Sequence, residues 1–523
     1  MRKIICQRGM KMFSRIRSYG ISGIDGIAIA VEADVSPGLP MFHLVGHLSR
    51  EVSEAEERVR TAIRNSGITL PPRRITVNLS PAGIRKEGTA FDLAIAVAVL
   101  CCLGVIDPDG MEEFTFLGEL GLDGTVRPIR GILPMVIASV KDGVRRIFLP
   151  KDNVREGRAV MGAELIGVTD LKELCRMLSR RAAIQGEYFD SHMFEEEDHP
   201  FAEDYADMIG LKSVKFACMA AAAGRHSILF IGPAGTGKSM AASRLPGILP
   251  PLTMEETIEL AKIRSICGLL DPSVPFSRKR PFRAPHHSVT QSALVGGGAN
   301  PRPGEITLAT HGVLFLDELA EFSPRTIDLL RQPMEEHKVV ISRMKGTMVY
   351  PADCMIAAAL NGCKCGLYPD RRCQCSDNDR NRYLGKISGP FLDRIDIGVE
   401  VPRQKVRSTE QLAGKESWST ASMREKVMQA LEIQKKRFSS EPIRYNSEMN
   451  SAQIRAYCQL TPEAVQLLDR YSAGDNTSLR GYGKICRVAR TLADLDGKEK
   501  IDELVLSEAL SYRSFQKKYW GRG

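Results

Sequence analysis

The sequence predicts an α/β protein of about three domains, on three observations. Short β-rich runs alternate with helical stretches over residues 12–180, strands separated by longer helices follow from Met208, and from about Ser447 the chain reads as nearly all helix. With 523 residues, 43% of them hydrophobic, each domain has apolar side chains enough for its own core.

In chain order, residues 26–35 (GIAIAVEADV) alternate in polarity and read as a strand. Residues 53–67 (SEAEERVRTAIRNSG) space their apolar side chains as an amphipathic helix that stops at Gly67. A strand at 73–81 (RRITVNLSP), a buried helix at 91–104 (FDLAIAVAVLCCLG) and a strand at 144–150 (VRRIFLP) complete a compact α/β pattern. The longest apolar run, Leu93–Ile106, is shorter than the ~20 residues of a membrane span, so no membrane association is expected. Residues 181–207 are polar, acidic and rich in turn formers, which marks a linker. The net charge of +9 permits nucleic-acid or nucleotide binding, but a solvated basic face is the commoner reading. Thirteen cysteines without a secretory leader point to reduced thiols and a cytoplasmic protein.

The chemistry concentrates after Ser227. Residues 227–231 form a short apolar strand that runs into Gly232-Pro233-Ala234-Gly235-Thr236-Gly237-Lys238-Ser239, which matches GxxxxGK[ST]. Glycines let backbone N–H groups turn inward around phosphates, Lys238 reaches the β- and γ-phosphates, and the Ser239 hydroxyl ligates Mg²⁺. A Gly-rich turn without ligand is the bland alternative, and the strand in front argues against it. Val313-Leu-Phe-Leu316 ends in Asp317 and Glu318. A parallel strand delivers such residues to the ligand crevice, Asp317 to hold Mg²⁺ and Glu318 to polarise the attacking water. Asn361 follows a third apolar strand, 355–360, and is either a water-positioning residue beside the γ-phosphate or an ordinary turn asparagine. Cys363, Cys365, Cys373 and Cys375 place four thiols within 13 positions. They suit tetrahedral Zn²⁺, with redox-active or incidental cysteines as the other readings. His286 and His287 have no ligand spacing and read as part of a loop.

Several long stretches, among them PGLPMFHLVG, NLSPAGIRKEGTAFDLAIA, RPFRAPHHSVT, ISGPFLDRIDIGVEVP and SLRGYGKICRVARTLADL, resemble the Mg-chelatase-like AAA+ ATPases of the YifB/ComM type, from Met12 nearly to the end. The resemblance implies a Lon protease-like domain of ribosomal S5 domain 2-like fold (12–180) and the acidic linker (181–207). A P-loop AAA+ parallel-sheet core (208–402), a helical connection (403–446) and a Mg-chelatase-type helical lid (447–515) follow. It also implies a homo-oligomeric ring, a hexamer, with ATP and Mg²⁺ between subunits. Arg394 matches the arginine finger and Arg480 the lid's sensor arginine; without the family each is a solvated arginine near a helix end. The 79 positions between Lys238 and Asp317 leave room for the clade's inserted loops. Residues 339–350 (VVISRMKGTMVY) match its hairpin, with Arg343 and Lys345 at the tip either gripping a phosphate backbone or simply exposed. Where the family has Asn-Pro-Cys-Pro-Cys this chain has Asn361-Gly-Cys-Lys-Cys365, a looser loop.

Lon-type peptidases use a Ser–Lys pair. The resemblance places Ala90 at the serine and Leu133 at the lysine, so no peptidase activity is expected. The expected function is a ring-forming ATPase that translocates on single-stranded or branched DNA and, by likeness to the family, drives branch migration in recombination and natural transformation. A protein-remodelling or chelatase-type ATPase is the alternative, since both classes share the phosphate loop.

Overall fold

A computed structural model describes residues 12–180, 184–191, 203–271, 274, 276–298, 301–343, 346–404, 418–475 and 479–521. They fall into two compact units. The first holds Met1–Glu197, Thr257–Ser277 and Ser342–Met348, the second Asp198–Glu256, Arg278–Ile341 and Val349–Gly523.

The first unit is built on a seven-stranded mixed sheet, ordered Met41–Val45, Arg74–Ser80, Asp25–Ser36, Phe13–Ser22, Phe114–Phe116, Arg146–Pro150, Glu164–Val168. Asp25–Ser36 pairs antiparallel on both sides, with Val31 opposite Ile16 and Leu79. Its alternate residues Ile29, Val31, Ala33 and Val35 are buried, as period two requires. The helix Asp92–Cys102 is buried at every position, which accounts for its lack of a polar face. The preceding helix Ala55–Asn65 turns Ala55, Val59, Ala62 and Ile63 inward. The strand Phe13–Ser22 has no hydrophobic alternation to announce it, because part of its inward face is serine. Ser14 Oγ donates to Ala98 O at 2.7 Å and Ser18 Oγ to Phe116 O at 2.9 Å, which satisfies both buried hydroxyls.

The segment Thr257–Ser277 lies between Lys238 and Asp317 in sequence yet packs with the first unit, a difference from the sequence reading, which keeps it in the ATPase core. Ala261 and Phe276 join a buried cluster with Tyr19, Leu133 and Leu149. Ser265 Oγ donates to Glu156 Oε1 at 2.5 Å, and Ser265 O accepts the Gly131 N–H at 3.1 Å. Such long-range packing leaves no mark on local periodicity.

The second unit carries a five-stranded, all-parallel sheet ordered Phe282–Arg283, Val313–Leu316, Met355–Leu360, Ile228–Ile231, Ile397–Glu400. The three central strands are buried at every residue, the pattern of a sheet covered on both faces. Apart from this sheet, a hairpin pairs Lys338–Arg343 with Gly346–Pro351, the two strands expected around the turn at 345–346, and its residues Ser342–Met348 are those counted with the first unit. The C-terminal part is helical, from Thr420–Arg437 to Phe515–Trp520. Its helix Leu479–Leu495 is tied to the sheet by Lys484 Nζ, 2.7 Å from Asp396 Oδ1. Burial alone would raise the Asp396 carboxyl, but Lys484 and His226 hold it well below the usual carboxylate range. Among the described residues no helix is long and apolar enough to cross a membrane.

Candidate nucleotide site

Parallel strands carry their C-terminal ends to one edge of the sheet, and the predicted nucleotide residues gather there. Ile228–Ile231 ends at Gly232, and the loop that follows holds Gly235 at φ +73 and Gly237 at φ +93. Those left-handed angles turn successive amides toward one concavity, and only glycine adopts them without cost. Thr236 Oγ1 braces the loop on Pro233 O at 2.9 Å. Lys238 opens the following helix with its side chain folded back under the loop. Its Nζ donates to Gly232 O (2.8 Å), Pro233 O (2.7 Å) and Asn361 Oδ1 (2.9 Å). Burial pulls the ammonium below the usual lysine range, and the Asp317 charge pulls the other way.

Ser239 Oγ donates to Asp317 Oδ2 at 2.8 Å. These two residues, 78 positions apart, thus present hard oxygen donors side by side, the donor set that suits Mg²⁺. Bound there, Mg²⁺ would offset charge on the β- and γ-phosphates. Glu318 follows directly, exposed, at φ +51 and ψ +49. A non-glycine residue in that region is uncommon, and here it swings the carboxylate off the line of the strand. His287 Nδ1 lies 3.4 Å from Glu318 Oε2, with the His287 ring edge-on to Phe322. The sequence reading gave His287 no role, since 31 positions separate it from Glu318 and only the parallel pairing of Phe282–Arg283 with Val313–Leu316 brings them together.

The remaining predicted residues divide. Asn361 joins the site through Lys238. Arg394 does not: its Nη2 is 2.9 Å from Glu335 Oε1, its Nε donates to Arg331 O and its Nη1 to Pro390 O, and none of these partners belongs to the phosphate loop. Arg480 is on the helix Leu479–Leu495 and Arg343 on the hairpin strand, but their side chains lie outside the described residues, as does Lys345 entirely.

The four cysteines converge. Cys363 Sγ is 3.2 Å from Cys365 Sγ and 3.6 Å from Cys373 Sγ, Cys365 Sγ is 3.6 Å from Cys373 Sγ, and all four sulfurs lie within 4.8 Å of one another. Four sulfurs ~2.3 Å from a tetrahedral Zn²⁺ are ~3.8 Å apart, so the set fits one ion. Ala90 and Leu133 are both buried in one apolar cluster.

Comparison with known proteins agrees with this architecture. The family model for magnesium chelatase, subunit ChlI, matches residues 204–409, with two further ChlI models over 31–153 and, for the C-terminal part, 417–513. The competence protein ComM of Haemophilus influenzae is 38% identical over 505 residues, 95% of this chain and 97% of that protein. The chain belongs to the Mg-chelatase-like AAA+ ATPases of the ComM/YifB family. YifB of Escherichia coli K12 is likewise 38% identical, over 96% of this chain and 97% of its own length. Lon protease 2 of Bacillus subtilis is 29% identical over 119 residues, 23% of this chain and 21% of that protease. A member of this ATPase family hydrolyses ATP with Mg²⁺.

Proposed function

We propose that this chain assembles into a ring, a hexamer, that couples ATP hydrolysis to translocation on DNA and drives branch migration of recombination intermediates. The observation that carries the hydrolytic half is the convergence of Lys238, Ser239, Asp317 and Asn361 at one edge of the parallel sheet. In this reading the loop amides and Lys238 bind the phosphates, Ser239 and Asp317 hold Mg²⁺, and Glu318 orients the attacking water. Asn361 positions water near the γ-phosphate. Arg394 leaves Glu335 to reach the nucleotide of a neighbouring subunit, and Arg480 acts as the lid's sensor. Cys363, Cys365, Cys373 and Cys375 hold one structural Zn²⁺.

The DNA half is supported by the net charge of +9, by the basic hairpin with Arg343 and Lys345, and by the likeness to a competence protein. The first unit serves as a scaffold rather than a peptidase, with Ala90 and Leu133 where a nucleophile and base would stand. The test is steady-state ATP hydrolysis with and without forked DNA. Stimulation by DNA that is lost in Arg343→Ala/Lys345→Ala supports the reading. A rate indifferent to both would sink it and favour a protein-remodelling or chelatase-type ATPase.

A further inference from the structure

We infer that the four-cysteine knot, holding one Zn²⁺, is the strut that positions the phosphate loop, so that nucleotide affinity depends on the metal. The inference rests on the zinc reading above and extends it from a structural ion to a controlling one.

The knot touches the loop on both sides of its first two thiols. Just before Cys363, Asn361 Oδ1 accepts from Lys238 Nζ at 2.9 Å. Just after Cys365, Gly366 O accepts the Ala234 N–H at 2.8 Å. Gly366 is at φ +73, and a Cβ on it would sit 3.3 Å from Ala234 Cβ, so the two backbones meet at van der Waals range. A shift of the knot therefore moves Ala234 and Lys238 together.

What holds the knot is its sulfurs. From Asn361 to Ser376 the chain has neither helix nor strand, and only Gly362, Cys363 and Gly366 are buried. A segment of that length with no apolar core has little besides a metal to order it. Cys363 Sγ also accepts the Tyr368 N–H at 3.4 Å, the kind of outer hydrogen bond that orients a thiolate ligand. On the far side Arg380 lies over the Tyr368 ring at 4.6 Å, and Tyr368 meets Tyr519 of the helix Phe515–Trp520 edge-on. The knot is thus fastened to the C-terminal helices at one end and to the phosphate loop at the other. All four cysteines are free thiols, their closest sulfurs 3.2 Å apart where a disulfide needs about 2.05 Å, and all four converge.

The test uses the full chain, purified under reducing conditions. Zinc is quantified by atomic absorption, then removed by dialysis against a chelator under reducing conditions, and a fluorescent ADP analogue is titrated before and after. About one zinc per chain is expected, with binding five- to tenfold weaker on stripping, the worth of a lost hydrogen bond or two, and restored by Zn²⁺ alone. Cys373→Ser/Cys375→Ser should lose the zinc. Gly366→Ala, which adds only the Cβ that would sit 3.3 Å from Ala234 Cβ, should keep the zinc yet weaken binding, which separates the strut from loss of the metal site. A folded, reduced chain without zinc would overturn both the zinc reading and the strut. Zinc present with unchanged affinity in Gly366→Ala would leave the zinc reading standing and overturn the strut, even if the stripped protein unfolds.

Discussion

The phosphate loop and the Ala90–Leu133 cluster are two places in one chain where a reactive pair could stand, and they have opposite chemistry. At the loop, Lys238 is buried but fully hydrogen-bonded, and Ser239 and Asp317 are held oxygen to oxygen. In the first unit the corresponding positions are methyl and isobutyl groups packed among Tyr19, Ile132 and Leu149. Burying an ammonium is tolerable only where acceptors surround it. The loop supplies three, whereas the side chains packed with Ala90 and Leu133 are mainly hydrocarbon. The contrast teaches that burial does not make a site silent, but the absence of partners does.

The sharpest way to break this contrast is through Arg394, which the proposal assigns to a neighbour's nucleotide. Arg394→Ala should lower kcat by about 10³-fold or more while leaving ATP binding intact. Mixing Arg394→Ala chains with Glu318→Gln chains should restore part of the rate, since mixed rings place an intact Glu318 opposite an intact Arg394. If no activity returns in phosphate-release assays, the site is not shared between subunits.

A second test works on the silent side. Leu133→Lys, alone or with Ala90→Ser, puts an ammonium where Leu133 is fully buried. It should cost on the order of 2–4 kcal/mol of stability, read from denaturant melts, and should not create casein cleavage above background. A stable variant that degrades casein would show the cluster to be a latent site.

The smallest expected effect concerns His287. Replacing it with Ala should lower kcat about three- to tenfold with little change in KM, because the group its Nδ1 faces, at 3.4 Å, is the Glu318 carboxylate. His287→Asn, which keeps a polar group at that height, should recover most of the loss. Equal losses in kcat and affinity would assign His287 to folding of the loop.

How far these features could be read from sequence depends on how many consecutive residues define them. The loop 232–239 and the pair Asp317–Glu318 are each specified by one strand end and the residues behind it, so the sequence alone places them. Asn361 was legible for the same reason, although its contact with Lys238 was not. His287 beside Glu318 and Arg394 bound to Glu335 depend on strand pairing and loop packing, which no local pattern carries. The strand Phe13–Ser22 escaped notice because buried serines replace part of its apolar alternation. Thr257–Ser277 escaped because a segment's sequence does not say which core it joins. The four-thiol cluster was visible as spacing, while its grip on Ala234 through Gly366 was not.

The measurement that bears most directly on the central claim is ATP-dependent branch migration of a synthetic four-way junction by the full chain. The account predicts that the wild-type protein resolves the junction into its duplex products with ATP and Mg²⁺. Glu318→Gln, which should bind ATP as tightly, should leave the junction intact. Migration that proceeds equally with Glu318→Gln, or a wild-type chain that hydrolyses ATP on DNA without moving the junction, would contradict it.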